Sequence, residues 1–241
     1  MTTPSPTVLL LGATGRTGRR VLDHLTQRGV RVRALVRDAA RLSAELRERP
    51  GVEVVEAGPL DLDDAAFAAH VAAADVVISC LGHTLSLRGI FGAPRDLVTR
   101  VVRRVCAVPR PDAATRPLRV VWMTSVSVNG PRAVDARRGV FERGFLRVLC
   151  AVLPPARDNQ TAADALANAP AGIEWVVVRP DALLDGPTGT YTVHPGLVDS
   201  LFSPGKTTMN NIGHFMAALV TEPDLWSAWR GRLPVIVDAP T

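Results

Sequence analysis

Short runs of β-branched and aliphatic residues alternate along the chain with longer stretches in which apolar residues recur at helical spacing. Six runs predict strands, at Thr7–Leu11, Arg31–Val36, Val52–Glu56, Asp75–Ser79, Leu118–Thr124 and Ile173–Val178. The stretches between them predict crossover helices, at Arg16–Arg28, Ala39–Arg49, Asp64–Ala73, Pro94–Val108 and Ala156–Ala169. This pattern predicts an α/β fold with a doubly wound parallel sheet that is buried on both faces.

The alternation weakens beyond Pro180, where the 241-residue chain is expected to complete a single domain. We predict irregular chain over Tyr191–Pro204, a helix near Asn210–Thr221 and a last strand at Pro234–Val237. Loops at the carboxyl ends of parallel strands border the ligand crevice. Residues 181–210 are therefore expected to form a small irregular region on the substrate side of the domain.

The segment Asn129–Pro155 does not fit the alternation, because it is longer than the roughly 2–6 residues of an ordinary βα loop. Within it, apolar residues at three- and four-residue spacing predict an amphipathic helix; they are Phe141, Phe145, Val148, Leu149 and Val152. Two interpretations remain open. The helix is either a surface helix with a solvated basic face or part of a lid-like insertion over the crevice.

Composition narrows the class of protein and its partners. With 47% hydrophobic and 21% charged residues, the chain is typical of a globular protein. No apolar stretch approaches the roughly 18 residues that span a bilayer, and the first residues lack the features of an export signal. A cytoplasmic protein without a membrane partner is therefore expected. The formal charge is +5, but the arginines are scattered, which favours an anionic or aromatic small molecule over nucleic acid.

The strongest local signal is a G-x-x-G-x-x-G motif that directly follows the first predicted strand and opens the first helix. Glycines in this context allow a tight turn and a close approach of the backbone to a pyrophosphate, which meets the amide groups of the helix start. The context predicts a Rossmann-type dinucleotide site. The residues predicted to bind the cofactor here are Gly12, Ala13, Thr14, Gly15, Arg16, Thr17 and Gly18.

The residues after the second strand indicate which dinucleotide is preferred, because an acid there binds the ribose of NAD(H) and an arginine binds the 2′-phosphate of NADP(H). Arg37 follows the strand directly and Arg41 comes four positions later, on the same face of the predicted helix. Arg16 is a third candidate for the same phosphate. We predict NADP(H), with NAD(H) less favoured. In the alternative interpretation, Asp38 binds the ribose or caps the helix.

Several blocks of the sequence resemble the NmrA-like atypical short-chain dehydrogenase/reductases, and most closely the NADPH-dependent flavin reductase/biliverdin-IXβ reductase family. They are Gly12–Gly18, Leu35–Leu42, Cys80–Gly82, Thr124–Ser125, Arg179–Pro180, Gly189–Val193 and Ile212–Met216. Two residues depart from the family pattern: Pro59 replaces an acid near the adenine, with Asp61 as a possible substitute, and Asp181 replaces a histidine.

The resemblance implies further contacts with the cofactor along the carboxyl ends of the strands. Residues near the adenosine, the pyrophosphate or the nicotinamide would be Leu60, Asp61, Cys80, Leu81, Gly82, His83, Thr124, Ser125, Pro180, Asp181 and Ala182.

Ordinary short-chain dehydrogenases use a Tyr-x-x-x-Lys pair, in which the lysine lowers the pKa of the tyrosine. Tyr191 and Lys206 are the only tyrosine and the only lysine of this chain. They cannot share one helical face, because they are too far apart and two prolines lie between them. An ordinary carbonyl reductase is therefore not expected. Isolated histidines at these spacings do not predict a metal site; we expect His214 to be packed and His194 to border the substrate mouth.

Two functions remain open. In the first, the protein is an NADPH-dependent oxidoreductase that delivers hydride to a flavin, quinone or tetrapyrrole-like acceptor, and positioning supplies most of the acceleration. Ser125 is then the candidate catalytic residue, unless it is only a satisfied hydroxyl at a strand end. The proton comes from water, or from His83 or Asp158 if either faces the cleft. In the second, the protein is a non-catalytic NADP(H)-sensing regulator of the NmrA-like type that acts through a protein partner.

Overall fold

The computed structural model describes residues 5–82, 92–110, 112–130, 135, 138–200 and 203–239. Its strands are β1 (Thr7–Leu11), β2 (Arg31–Val36), β3 (Val52–Glu56), β4 (Val76–Ser79), β5 (Leu118–Met123), β6 (Ile173–Pro180), β7 (Ala182–Leu184), β8 (Tyr191–His194), β9 (Lys206–Thr208) and β10 (Val235–Asp238). Eight of them form one sheet in the order β3-β2-β1-β4-β5-β6-β10-β8. This sheet is parallel except where β8 runs antiparallel to β10, and β7 and β9 form a separate parallel pair.

Helices cover both faces of the large sheet. They are α1 (Arg16–Gln27), α2 (Ala44–Arg47), α3 (Asp64–Ala72), α4 (Leu97–Cys106), α5 (Val140–Val152), α6 (Pro154–Ala167), α7 (Met209–Thr221) and α8 (Pro223–Trp229). Buried residues of α1 and α7 pack with Val8 and Leu10 on one face, and those of α3, α4 and α6 pack with Leu9 and Leu11 on the other. Because successive strand residues point to opposite faces, both cores form on one sheet, and the predicted doubly wound α/β fold is confirmed.

The six predicted strands and most of the crossover helices are confirmed within a few residues. The exception is Ala39–Arg49, where the structure has a 3₁₀ turn over Ala39–Arg41 and then the short helix α2. The Asp38 carboxylate accepts from the amide of Ala40 at 2.9 Å, and the Ser43 hydroxyl caps α2 by accepting from Leu46. Two local caps thus start two short elements where one helix was predicted.

The prediction of irregular chain over Tyr191–Pro204 is wrong at its beginning. Tyr191–His194 forms β8, which pairs with β10 through Val193 and Ile236. The prediction missed it because a four-residue strand has little periodicity of its own, and its pairing depends on a partner some forty positions later. The helix near Asn210–Thr221 and the last strand are confirmed as α7 and β10.

The inserted segment carries its predicted amphipathic helix as α5, and it is anchored by a buried ion pair. The Arg179 guanidinium at the end of β6 contacts both carboxylate oxygens of Asp135, at 2.7 and 3.1 Å, and both side chains are fully buried. The same carboxylate accepts from the amides of Gly130 and Leu197. The buried ion pair between Asp135 and Arg179 therefore attaches the start of the insertion to the end of β6.

Candidate cofactor-binding site

Strand register brings the predicted site residues to one edge of the sheet. Leu11 pairs with Leu35 of β2 and with Ser79 of β4, and Met123 pairs with Val178. The residues that follow these strands therefore lie side by side in strand order, from Asp61 through Arg37, the glycine turn, Cys80 and Thr124 to Asp181. Since neighbouring strands are about 4.8 Å apart, Arg37 and Ser125 are separated by three strand spacings, or about 14 Å.

The glycine turn, defined as residues 12–18, has a shape that side chains would destroy. Gly12 has φ +81°, and a Cβ on it would lie 2.8 Å from the carbonyl group of Cys80. A Cβ on Gly18 would lie 2.1 Å from the carbonyl oxygen of Gly12, while the amide of Gly15 donates to that oxygen at 3.0 Å. Backbone segments of β1, β4 and α1 thus meet at distances that only glycine permits.

The start of α1 fits an anionic group. Its N-cap residue is Gly15, which has no side chain to occupy the amide groups of the first helical turn, and these amides and the helix dipole attract an anion. Ala13, Thr17 and Gly18 are buried and support the turn, whereas Arg16 is exposed. This cradle, which a Cβ would fill, fits the pyrophosphate of a dinucleotide; Gly12, Thr14 and Gly15 are the partly exposed residues that would contact it.

Arg37 and Arg41 are both exposed beside the end of β2. Arg37 lies against Gly58, since a Cβ on that glycine would be 2.9 Å from the Arg37 Cγ. The carbonyl of Arg41 accepts from Arg19 of α1 at 2.7 Å, which ties the 3₁₀ turn to the phosphate-binding helix. The expectation that Arg41 lies on the same face of a continuous helix is wrong, because the chain turns there.

Several acidic residues of the site have local structural partners. Asp38 is the N-cap of the 3₁₀ turn, in agreement with the capping alternative for this residue. Asp61 closes its own turn by accepting from the amide of Gly58 at 3.0 Å, and Leu60 beside it packs against the core.

Arg16 donates to Asp185 at 2.6 Å, a contact that sequence reasoning missed because the two residues are 169 positions apart.

The residues after β4 close the back of the turn. The amide of Cys80 donates to the carbonyl of Leu11 at 2.9 Å, and burial raises the pKa of the Cys80 thiol to about 12, so this cysteine packs as an apolar residue. Leu81 is half-buried and Gly82 is exposed at the rim. His83, which the resemblance placed at the cofactor, lies outside the described residues.

The residues after β5 bring one half-buried hydroxyl group, that of Ser125, to this edge, because the buried Thr124 hydroxyl donates to the carbonyl of Val178 at 3.4 Å. The amide of Thr124 donates to the carbonyl of Val178 at 2.9 Å, which extends the pairing of β5 with β6. Ser125 is half-buried, and its Oγ lies 2.6 Å from the Oγ of Ser127. The contact with Ser127 satisfies the Ser125 hydroxyl, as one of the two alternatives expects. Because the hydroxyl still lies at this edge of the sheet, the catalytic alternative stays a prediction.

Asp181, which stands where the family pattern has a histidine, supports the backbone. Its carboxylate accepts from the amides of Ala182 and Gly205, each at 3.0 Å, and so joins the ends of β7 and β9. Burial, with a smaller contribution from the charge of Asp199, raises the pKa of Asp181. The carbonyl of Pro180 accepts from Val126, so the β6 end is also tied to the segment after β5.

The Asp158 carboxylate has a structural role at the start of α4. Its two carboxylate oxygens accept from the amides of Val98 and Thr99, at 2.8 and 2.9 Å, and cap α4 from a buried position. A carboxylate held by the start of a helix stabilises that helix. The expectation of Asp158 as a proton source is therefore corrected.

Tyr191 is packed and hydrogen-bonded rather than placed beside a lysine. Its hydroxyl lies 2.8 Å from His214 Nδ1, and burial raises the pKa of Tyr191 to about 12. Lys206 lies on β9, in the other sheet. His214 is packed as expected, with Arg28 3.0 Å from its Nε2, and His194 contacts Thr192 on its own strand.

Two absences hold for the residues that the structure describes. No helix among them is long and apolar enough to cross a lipid bilayer. No three of their His, Cys, Asp or Glu side chains are grouped so that they could hold a metal ion.

The fold and the glycine turn define a dinucleotide-binding α/β domain. A model of the NAD(P)H-binding family matches residues 12–223. The chain therefore belongs to the NAD(P)H-binding family. An uncharacterised chloroplastic protein of Arabidopsis thaliana is 38% identical over 50 residues, which are 21% of this chain and 18% of that relative.

Three solved structures share the whole fold at low sequence identity. A protein from Lactobacillus casei has a TM-score of 0.73 at 19% identity, with 97% of this chain and 100% of that chain covered. A short-chain dehydrogenase/reductase from Veillonella parvula in complex with NADP has 0.67 at 14%, covering 98% and 96%. A candidate NADH-flavin reductase from Streptococcus pneumoniae has 0.68 at 13%, covering 98% and 100%.

Proposed function

We propose that this protein is an NADPH-dependent oxidoreductase that delivers hydride to a flavin, quinone or tetrapyrrole-like acceptor. One observation carries the proposal: Arg37, the glycine turn and Ser125 lie along one edge of the sheet in the order in which an extended dinucleotide presents its 2′-phosphate, pyrophosphate and nicotinamide. The NADP in a solved structure with this fold supports the choice of cofactor, and a candidate NADH-flavin reductase with this fold supports a flavin as acceptor.

Different residues along this edge of the sheet bind different parts of the cofactor and the acceptor in the proposed function. The glycine turn binds the pyrophosphate through backbone amides, and Arg37 with Arg41 binds the 2′-phosphate through charge-assisted hydrogen bonds. NADPH, when bound, supplies a hydride. Thr124 and Ser125 orient the carboxamide or the acceptor at the β5 end, while Pro180, Asp181 and Ala182 form the adjoining wall.

The proposed acceptors are those that need positioning more than an enzymic acid. Tyr191 is held by His214 and Asp158 by the start of α4, so neither is free to protonate a carbonyl. A flat conjugated acceptor can take its proton from water after reduction, and orientation alone supplies a large part of the acceleration. Ser125 is the residue that we propose to contact the acceptor.

The alternative is an NADP(H)-sensing regulator that acts through a protein partner, and one feature favours it. Large apolar side chains on the outer face of α5 are strongly exposed, with Val140 at 90%, Val148 at 62% and Val152 at 63%. Exposed apolar clusters mark interaction surfaces more often than chance. The same face belongs to the insertion that we interpreted as a possible lid, and that interpretation stays a prediction.

A screen of NADPH oxidation tests the proposal and separates it from the alternative. The purified protein is expected to oxidise NADPH with FMN, a soluble quinone or biliverdin and to leave simple ketones unreduced. Ser125→Ala is expected to lower kcat about tenfold or more with little change in NADPH affinity, consistent with loss of a positioning contact; Ser5→Ala, near the amino terminus, is the control. Tight NADPH binding without turnover of any acceptor would favour the regulator.

A further inference from the structure

Arg16 is the only charged residue between Gly12 and Gly18, and its exposed side chain forms an ion pair. Its Nη2 lies 2.6 Å from a carboxylate oxygen of Asp185, and the side chains are 69% and 67% exposed. An ion pair this exposed contributes little to the free energy of folding. The contact places a negative charge directly on the one cation of the phosphate-binding turn.

Asp185 is held in this position by the residues that follow it. The carbonyl of Gly186 accepts from Asn210 at 2.5 Å, and the amide of Gly189 donates to Asn211 at 2.8 Å. Both asparagines lie in the first turn of α7, which packs tightly on α1: a Cβ on Gly213 would be 2.9 Å from the backbone of Arg20. The segment 185–189 is therefore fastened to a helix that is itself seated on the phosphate-binding helix.

We propose that Asp185 is an affinity-determining residue that competes with a phosphate of the cofactor for Arg16. The proposal rests on the proposed binding of NADPH at the glycine turn. A guanidinium that binds a carboxylate must release it, or share it, before it binds a phosphate with its full set of donors. Asp185 therefore weakens cofactor binding through its contact with Arg16.

Equilibrium titration of NADPH, followed by its fluorescence, tests the proposal without any turnover. Asp185→Asn is expected to lower the Kd for NADPH about two- to fivefold, which is the range that one exposed charge pair allows. The gain is expected to shrink at high ionic strength, because salt screens exposed charges. Asp112→Asn, in the loop before β5 at the opposite edge of the sheet, makes the same change of net charge and is expected to leave the Kd unchanged.

A double-mutant cycle shows whether Asp185 acts through Arg16. In the Arg16→Ala background, Asp185→Asn is expected to change the Kd no more than the control does. The same titrations with NADH identify the phosphate: a gain with NADPH alone supports competition with the 2′-phosphate, and an equal gain with both supports competition with the pyrophosphate.

Two results would overturn the proposal, and they are distinguishable from a failure of the proposed function. The first is a parent protein that binds NADPH while Asp185→Asn binds it no more tightly. The second is a gain that persists undiminished without Arg16. A parent protein that binds neither NADPH nor NADH would instead overturn the proposed function, and the competition with it.

Discussion

The glycine turn and the region around the carboxyl end of β6 keep their shapes by different means. In the turn, backbone meets backbone, and the amide of Gly15 and the absent side chains of Gly12 and Gly18 are sufficient. Around β6, buried carboxylates hold the backbone: Asp135 accepts from Gly130 and Leu197, and Asp181 accepts from Gly205. The first arrangement uses the amide of Gly15 internally and leaves the amides of the first turn of α1 for a ligand, whereas the second uses its amides for the protein itself.

This difference explains why the two regions suit different roles. A carboxylate near the glycine turn interferes with phosphate binding, and we propose that Asp185 does so by occupying Arg16. Asp135 neutralises Arg179, which is fully buried, and the half-buried Ser125 hydroxyl stands at the end of β5, beside the proposed acceptor. Stability in the second region should therefore depend on charge, and in the first on shape.

The largest effect is expected from breaking the buried ion pair. Asp135→Asn leaves the Arg179 guanidinium buried without its counter-charge, which typically costs about 3–5 kcal/mol. Urea denaturation should report this loss in the free energy of unfolding. Glu53→Gln, which breaks the exposed pair with Arg33, should cost less than about 1 kcal/mol. Equal effects of the two substitutions would show that the buried pair has no special role.

At the glycine turn we expect a smaller loss of stability than for Asp135→Asn, together with a large loss of NADPH affinity. Gly18→Ala places a Cβ 2.1 Å from the Gly12 carbonyl oxygen, and overpacking of this kind costs about 1–3 kcal/mol. NADPH binding should weaken by about a hundredfold or more, because the turn must open. Gly144→Ala in α5 meets nothing within 4 Å and should keep both properties. Normal NADPH affinity in Gly18→Ala would contradict the role of the turn in cofactor binding.

The smallest effect is expected from pH, at the place where α1 and α7 meet. Burial, and then the charge of His214, lowers the pKa of His24 below 6.5; burial, and then the charge of Arg28, lowers that of His214. As the pH falls through 6.5, the two imidazole rings therefore bind protons in the unfolded chain before they do so in the folded protein. Their contribution to stability is complete above that pH and is lost as the pH falls towards the folded pKa values.

Urea denaturation at pH 7.5 and pH 5.5 measures this dependence. The free energy of unfolding should be lower at pH 5.5, and His24→Gln should reduce the difference, because it removes one of the two titrating rings. A steeper dependence in His24→Gln than in the parent would contradict the expected direction of the pH effect.

Local sequence patterns predicted the sheet and the glycine turn, but they could not predict contacts between residues that are distant in the sequence. The strands that end at Leu11 and Ser79 are apolar runs that can be predicted from the sequence alone. The spacing of the glycine motif is typical of phosphate binding at the start of a helix. The pairs Arg179 with Asp135 and Arg16 with Asp185 join residues far apart in the sequence, so no spacing indicates them. The short strand β8 was missed for the same reason, since only β10 makes it a strand.

Calorimetric titration of the parent protein with NADPH and NADH tests the central claim most directly. The account predicts that NADPH binds about tenfold or more tightly than NADH, that Arg37→Ala with Arg41→Ala removes most of this preference, and that Arg47→Ala in α2 keeps it. Equal affinities of the parent for the two cofactors, or a preference that survives the loss of both arginines, would contradict the account.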